Sequence, residues 1–423
     1  MQAVILTAGE SSRFWPLNYQ HKSLFYLMGR PLIWWILNEV EKSGIREVFI
    51  VQSPKKEIEE ELKKFKFKKL KIVFLIQKKP LGMGDALWQA KNFLKEPFFV
   101  LNGDVLCSKE ILLSVIKKIK KERMRPILAG QKTSTPWLFG MMKLKGDRIL
   151  KIVEKPKKGK EPSDIKVVGV YLLEPKFFEI YKKIKKHHYD FEDALSEYME
   201  KNEVKLVLLK KSEEESPSFL KYPWHLFNAK KYLFDNFLKR KIDSLAKISK
   251  NVIIDGKVYI GKNVKIFEGA AIKGPCYIGD NCVIGNNSLI REYVDLERNV
   301  LIGAFCEVAR SIFQEGSTTH SGYCGDSIVG RNTKIGAGTI TSNLRLDRSE
   351  IKVKVKNEKV KTGLKSFGTV IGENTYLGTK VNIMPGKLIG SNCEIGPNSL
   401  VKENIENNTF FHVKFKEVKK KKI

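Results

Sequence analysis

His320 is the one histidine between residues 247 and 410 of this 423-residue chain, and it falls where a regular repeat loses its step. A neutral imidazole takes up protons near pH 7, which suits general-base work on a nucleophile. The same ring in a loop is also an ordinary hydrogen-bonding side chain, and the residue by itself leaves both readings open. Cysteine offers no comparable chemistry. Cys107, Cys276, Cys282, Cys306, Cys324 and Cys393 form no CxxC pair and no dense framework. They read as small buried side chains of a reducing compartment, so zinc is not expected and the chain is expected to be cytoplasmic. The formal charge of +30 raises the question of nucleic acid. Its lysines, however, are spread along the chain and interleaved with glutamate, as in KKEIEEELKKFKFKK (55–69), which describes solvated faces. A basic surface also draws phosphorylated small molecules. The one concentrated block is the tail 419–422, and a nucleic-acid partner is not expected.

The elements that would position such residues fall into two grammars. At the start, strand-like and helix-like segments alternate: MQAVILTAG, PLIWWILNEVEKSG, EVFIVQ, KEIEEELKKF, KIVFLIQ, DALWQAKNFL, FFVLNGD. That order predicts βαβ units and a parallel sheet with ligand sites at its carboxyl end. No apolar run reaches the roughly 18 residues that span a bilayer, so no membrane association is expected. From about Val252 an aliphatic–Gly pair recurs at Gly261, Gly279, Gly285 and Gly303, in steps of 18, 6 and 18. It resumes at Gly330, Gly336, Gly372, Gly378, Gly390 and Gly396, with only the 27-residue step from Gly303 to Gly330 breaking the multiple of six. Six residues make one short strand and a turn, and three such units close one coil of a left-handed parallel β-helix. The lysine-rich stretch LRLDRSEIKVKVKNEKVKTG (344–363) alternates like a hairpin and is expected to project from the coils.

LTAGESSRFWPL (6–17) followed by HKSL (21–24) resembles the signature of the sugar-1-phosphate nucleotidyltransferases. The resemblance implies that Gly9 and Ser11 offer backbone N–H groups to the nucleotide, and that Arg13 and Lys22 neutralise the charge gathering on the transferred phosphate. QKKPLGMGDAL (77–87) resembles the base-recognition loop, with Gln77 and Gly82 reading a pyrimidine. LNGD (101–104) resembles the strand end whose Asp104 holds Mg²⁺. Gly140, and Glu154 and Lys155 of VEKP (153–156), take the places of the sugar-phosphate contacts. The sequence departs from the family at Ser11, Ser12, Ser23, Val167 and His225. Phe219 stands where a second metal-binding Asp belongs, and no carboxylate is nearer than Glu215.

HSGYCGDSIVGRNTKIGAGTITSN (320–343) resembles the acetyltransferase half of the bifunctional glucosamine-1-phosphate acetyltransferase/uridylyltransferases, which have this same domain order. The resemblance implies His320 as general base and Arg291 and Tyr323 on the sugar phosphate. It places Ala337, Asn343, Thr379 and, from the hairpin, Lys352 on acetyl-CoA. The turns at 337–339 would supply N–H donors to the oxyanion. Ala309, with Arg310 beside it, replaces a family lysine, and Lys334 replaces an asparagine.

The expected division is an α/β domain at 1–225, a linker helix at 226–246, the β-helix at 247–410 and a basic tail at 411–423. The implied function is acetyl-CoA-dependent N-acetylation of an amino-sugar 1-phosphate and Mg²⁺-dependent nucleotidyl transfer from UTP or dTTP, by a homotrimer. The alternatives are an acetyltransferase, or a non-catalytic assembly or regulatory subunit, with a degenerate nucleotidyltransferase domain.

Overall fold

The computed structural model of the chain describes residues 1–122, 126–187, 189–211, 217, 219–356 and 358–419. Of the basic block at 419–422 only Lys419 is among them, and Glu215 lies outside them. The chain forms two compact units. The first comprises Met1–Ser11, Gln20–Phe25 and Arg30–Lys221; the second comprises Ser12–Tyr19, Tyr26–Gly29 and Tyr222–Ile423. No helix among the described residues is long and apolar enough to cross a membrane.

In the first unit QAVILT is apolar along both faces, as a strand covered on each side must be, and Gln2–Thr7 accordingly lies well inside the sheet. Among the described residues that sheet has nine strands. Their order is Lys71–Ile76, Glu47–Gln52, Gln2–Thr7, Phe98–Asn102, Ile165–Leu173, Ile127–Lys132, Val204–Leu208, Arg148–Glu154 and Gly140–Lys145. The first four run parallel, the βαβ part that the alternation predicts. Ile165–Leu173 then runs antiparallel to Phe98–Asn102, so the sheet as a whole is mixed. A register break between Val167 and Tyr171 holds Gly169 at φ +55°. A Cβ there would come 2.6 Å from Asn102 Nδ2, so glycine allows the strand end leading to Asp104 to pass close by.

In the second unit the six-residue grammar becomes three parallel sheets, of eight, nine and eight strands among the described residues. In the regular part the coils stack 18 residues apart: Val258 on Cys276 on Val294, and Ile266 on Ile284 on Ile302. These side chains are buried and form one continuous core, each contributing about 1.5–3 kcal/mol. At one corner Asn263, Asn281 and Asn299 adopt positive φ, and Nδ2 of each of the first two donates to Oδ1 of the next at 3.2 Å. At another, a Cβ on Gly285 would lie 2.5 Å from Ala304 N, so the approach of the next coil demands glycine.

The broken step has a definite form: three corners each lose one residue. Ile290 and Asp295, five apart, stack on Val308 and Ile312, four apart, and these stack on Cys324 and Ile328, also four apart. Ile302 and Cys306, four apart, stack on Thr319 and Gly322, three apart. The shortened corners hold Arg310, Asp326 and His320. Within the same coils Glu297 and Gln314 stand in the column of Gly279 and Gly330. Their side chains bind the Tyr26–Gly29 segment: Gly29 N–H donates to Glu297 Oε1 at 3.0 Å, and Gln314 Nε2 donates to Tyr26 O at 3.0 Å.

Two expectations are corrected. The exit helix spans Leu226–Phe237, and Lys241–Ile242 already pairs with Tyr259–Ile260, so the first coil starts inside the stretch expected as a linker. Asp243 occupies its corner, which hides that coil from a count of glycines. The hairpin, Lys352–Val355 against Glu358–Lys361, does not simply project. Ile351 and Val353 are buried, and a Cβ on Gly386 would lie 2.5 Å from Ile351 Cγ2. Asn404 Nδ2 donates to Lys354 O at 2.8 Å, which holds the hairpin against the coils.

Candidate active sites

The segment expected to meet phosphate in the first unit includes a short helix, Lys22–Leu24. His21 precedes it, and its Nδ1 accepts the Ser23 N–H at 3.2 Å and lies 2.6 Å from Ser23 Oγ. Burial, and then the charge of Lys22, push the His21 pKa down to about 3, so the ring stays neutral and can accept. Ser23, where the family has proline, is therefore held by hydrogen bonds instead of a ring. Ser11, at φ +54°, accepts the Lys22 N–H on Oγ at 3.1 Å. The Lys22 ammonium lies 2.5 Å from Asp104 Oδ2 and 2.7 Å from Leu220 O, and Leu220 N–H donates to the same Oδ2 at 3.1 Å. A side chain at Gly9 would meet no atom within 4 Å, so the glycine turn is open. Arg13 is exposed and belongs, with Ser12–Tyr19, to the second unit.

Gln77 and Gly82 come together, but through each other. Gln77 Nε2 donates to Gly82 O at 3.0 Å and to Asp85 Oδ2 at 2.8 Å, so both its protons brace the loop and only its Oε1 is left to read a base. Gly140 lies opposite Glu154 in the antiparallel pair, and a Cβ on Gly140 would sit 2.8 Å from Glu154 Oε2. The Lys155 ammonium is 3.1 Å from Glu154 Oε1 and 3.2 Å from the Tyr189 hydroxyl. Burial opposes its charge, but these bonds outweigh burial and raise its pKa.

Two residues here escape sequence reasoning. Burial, reinforced by the nearby Glu154 charge, raises Glu192 to about 7; in YDFEDAL it reads only as a helix start. Lys166 is buried, with its ammonium 3.9 Å from the ring centroid of Phe219 and 4.4 Å from that of Phe139. The position of the family's second metal carboxylate is thus an aromatic wall. Among the described residues no three His, Cys, Asp or Glu side chains cluster as a metal site. Asp104 Oδ1, which accepts no bond from the described residues, fits one contact to a largely hydrated Mg²⁺.

On the β-helix the shortened corners gather a network. Arg310 Nε and Nη2 donate to Asp326 Oδ1 and Oδ2 at 2.7 and 2.8 Å, and Nη1 donates to Glu292 at 2.9 Å. Asp326 Oδ2 also accepts from Asn343 Nδ2 at 2.6 Å and Ser366 Oγ at 2.5 Å. Asn343 Nδ2 lies 3.1 Å from the Tyr323 hydroxyl, so these two predicted residues share one cluster. Burial works against the Asp326 charge, yet the bonds from Arg310, Ser366 and Asn343 hold its pKa below the ordinary carboxylate value. Arg291 pairs with Glu307 at 2.9 Å. Arg310 and Asp326, the centre of the network, were not predicted as site residues; the lost repeat step was their signal.

His320 sits in the corner column between Gly303 and Gly336, and its N–H donates to Ile335 O at 3.0 Å. Its ring is exposed and has no hydrogen-bond partner among the described residues. Ala337 and Thr379 follow on successive coils of the same corner, linked by the Lys380 N–H donating to Ala337 O at 2.7 Å. The Gly338 N–H already donates to Ser321 O at 3.0 Å, which removes it from the expected oxyanion donors; the Ala337 N–H donates to none of the described residues. Lys352 lies on the hairpin opposite Lys361, with no bond to this edge among the described residues.

Residues 2–225 match the Nucleotidyl transferase family model, and 257–292, 275–310 and 368–403 match the Bacterial transferase hexapeptide (six repeats) model. The chain is 34% identical over 418 residues to the Bifunctional protein GlmU of Methanocaldococcus jannaschii, covering 97% of each chain. With the Bifunctional protein GlmU of Methanococcus aeolicus it shares 34% over 420 residues, 98% of each. The Bifunctional sugar-1-phosphate nucleotidylyltransferase/acetyltransferase of Sulfurisphaera tokodaii is 32% identical over 421 residues, which is 98% of this chain and 100% of that one. With both domain types in one order and nearly its whole length matched, the chain belongs to the GlmU family of bifunctional sugar-1-phosphate nucleotidylyltransferase/acetyltransferase enzymes.

Proposed function

We propose that the β-helix acetylates the amino group of an amino-sugar 1-phosphate from acetyl-CoA, and that the first unit transfers a nucleotidyl group from UTP or dTTP to the product. The expected end product is UDP-N-acetylglucosamine. The observation that carries the acetyl half is that the three corners departing from the coil repeat hold His320, Arg310 and Asp326. His320 takes a proton from the substrate ammonium, the freed amine attacks the thioester carbonyl, and as the tetrahedral intermediate collapses the C–S bond breaks and the second proton of the nitrogen passes to the departing CoA sulfur. The Ala337 N–H donates to the oxyanion, while Asn343 and Thr379 orient acetyl-CoA with Lys352. Tyr323 and Arg291 receive the sugar phosphate.

In the first unit Lys22 neutralises the transferred phosphate, Gly9 and Ser11 bind it through the backbone, and Gly140, Glu154 and Lys155 hold the sugar phosphate. Gln77 Oε1 is an acceptor and so suits the N3–H of uracil or thymine; the Gly82 backbone completes the contact. Bound at Asp104, Mg²⁺ supplies charge neutralisation across the phosphate oxygens. The aromatic wall of Phe139 and Phe219 favours a second reading, in which acetyl transfer runs and nucleotidyl transfer is weak.

The deciding assay incubates purified protein with acetyl-CoA, UTP or dTTP and a panel of amino-sugar 1-phosphates, following free thiol and pyrophosphate separately. Thiol without pyrophosphate selects the second reading, and neither product selects the non-catalytic alternative. The three flat sheets of the coils further support a homotrimer, with a mass near three times 48.5 kDa in sedimentation, and its expected place is the cytoplasm.

A further inference from the structure

Lys230 is a buried ammonium that the proposed chemistry does not use. It lies on the exit helix Leu226–Phe237, is 2% exposed, and donates to Arg310 O at 2.6 Å. Among the described residues no other donor reaches that oxygen. Lysine is rarely buried so completely, because burial works against its charge. Here burial holds its pKa below the ordinary ammonium range, while the charges of Asp295 and then Asp326 act the other way. Asp295 is fully buried as well. Its Oδ2 accepts the Met28 N–H at 3.1 Å, and its Oδ1 has no hydrogen-bond partner among the described residues. Two buried charges in this state are costly to the fold, so packing alone does not account for them.

The bond from Lys230 falls on a strained piece of backbone. Tyr293, Arg310 and Asp326 occupy one corner on three successive coils, at φ +57°, +48° and +47°. Glycine, asparagine and aspartate enter this left-handed region readily; tyrosine and arginine seldom do. The exit helix holds both of the unusual residues. One turn beyond Lys230, and so on the same face, Phe234 stacks on the Tyr293 ring with centroids 6.1 Å apart, and Asp235 Oδ1 accepts the Tyr293 hydroxyl at 3.0 Å. From Arg310 the bonds continue outward. Its guanidinium donates twice to Asp326, Asp326 accepts from Asn343, and Asn343 Nδ2 lies 3.1 Å from the Tyr323 hydroxyl.

We propose that Lys230 is a positioning residue of the β-helix site: by fixing the left-handed backbone of Arg310 it aims the guanidinium at Asp326, and so sets Asn343 and Tyr323 for their ligands. Asp295 is its counter-charge. The ligands named for Asn343 and Tyr323 rest on the acetyl-transfer reading; the bonded path from Lys230 to them does not. His320 stands on a different corner and is outside this path, so loss of Lys230 affects binding more than the chemical step.

The test uses the full chain carrying Lys230→Met together with Asp295→Asn, which removes both charges at once and so spares the fold the penalty of a single stranded charge. Two measurements decide. In melts, Arg310→Met should lower Tm in this background by at most about half of what it costs in the wild type, because the pair it breaks is already loosened. In thiol-release kinetics, the double variant should show KM for acetyl-CoA and for the amino-sugar 1-phosphate raised roughly tenfold, with kcat changed less than about threefold. A mere loss of folded protein would lower kcat and leave KM alone. Should the methionine variant not fold, Lys230→Gln, one atom shorter and unable to reach Arg310 O, takes its place with the same expected results. Equal Tm losses for Arg310→Met in the two backgrounds, or unchanged KM values, would overturn the proposal. If the wild type releases no thiol with any amino-sugar 1-phosphate, the acetyl-transfer reading falls and the melts alone decide the role of Lys230.

Discussion

Arg310 is the position where the network can be broken most informatively. Arg310→Met keeps much of the side-chain length and removes the guanidinium that donates twice to Asp326, whose side chain is 9% exposed against 33% for Arg310. Removing one partner of a fully buried pair costs about 3–5 kcal/mol, whereas an exposed pair contributes about 0–1 kcal/mol. The partial exposure of Arg310 therefore sets the expected loss at about 2–3 kcal/mol. For a unit of this size that is about 4–12 °C in Tm. The sign with pH follows from Asp326. In the native chain its pKa is depressed, so its contribution is present above the unfolded value of about 3.9 and is lost as pH falls through the folded value. Without Arg310 the burial effect dominates, the folded pKa rises, and protonation relieves the variant as the pH falls. The difference in Tm between the two proteins should thus be largest at pH 7 and shrink toward pH 4. Circular dichroism melts of both at the two pH values measure it. A loss below about 0.5 kcal/mol, or a difference that does not change with pH, would refute the reasoning.

His320→Ala should slow acetyl transfer by about 10²–10⁴ while acetyl-CoA still binds; stopped-flow thiol release and calorimetry separate the two effects. Asp104→Asn should abolish pyrophosphate release without changing thiol release, since the two residues belong to separate units. Phe219→Asp, made beside it, should raise pyrophosphate release if the aromatic wall limits the metal. Gly303→Ala drives a Cβ into the His320 carbonyl, so it should lower Tm and acetyl transfer together, whereas Gly9→Ala, with no atom within 4 Å, should leave Tm nearly unchanged.

The coils were legible because their physics repeats: an inward aliphatic and a corner glycine every six residues leave a countable trace. The trace failed where side chains acquired other work. Asp243, Glu297 and Gln314 stand in glycine corners, and the two acceptor or donor side chains at 297 and 314 bind Tyr26–Gly29 instead. Within the sites, motif spacing brought Lys22 to Asp104, Gly140 to Glu154 and Lys155, and Tyr323 to Asn343. It gave no hint of Lys166 over Phe219, because a lysine in IKVVGVYLL has no pattern that announces burial. The spacing brought Gln77 to Gly82 but did not say which atoms meet, since one buried amide can brace a loop or read a base but not with the same proton. Arg310 and Asp326 show the reverse case: the break in pattern was visible and His320 was read into it, while the two side chains that pair across it were not.

The shortened corners also bear on how the chain finds its own alignment. A stack of near-identical coils is degenerate: slipping one coil past its neighbour keeps aliphatic side chains inward and asparagines at their corner, so the wrong pairing is almost as good as the right one. Missing residues at the corners of Arg310, His320 and Asp326 act as a phase mark. A coil slipped across them sets an 18-residue circuit on a shorter one, and its inward positions fall out of step within a single turn. Inserting one residue at each corner would make the prism more regular and, by the same stroke, easier to assemble in the wrong frame.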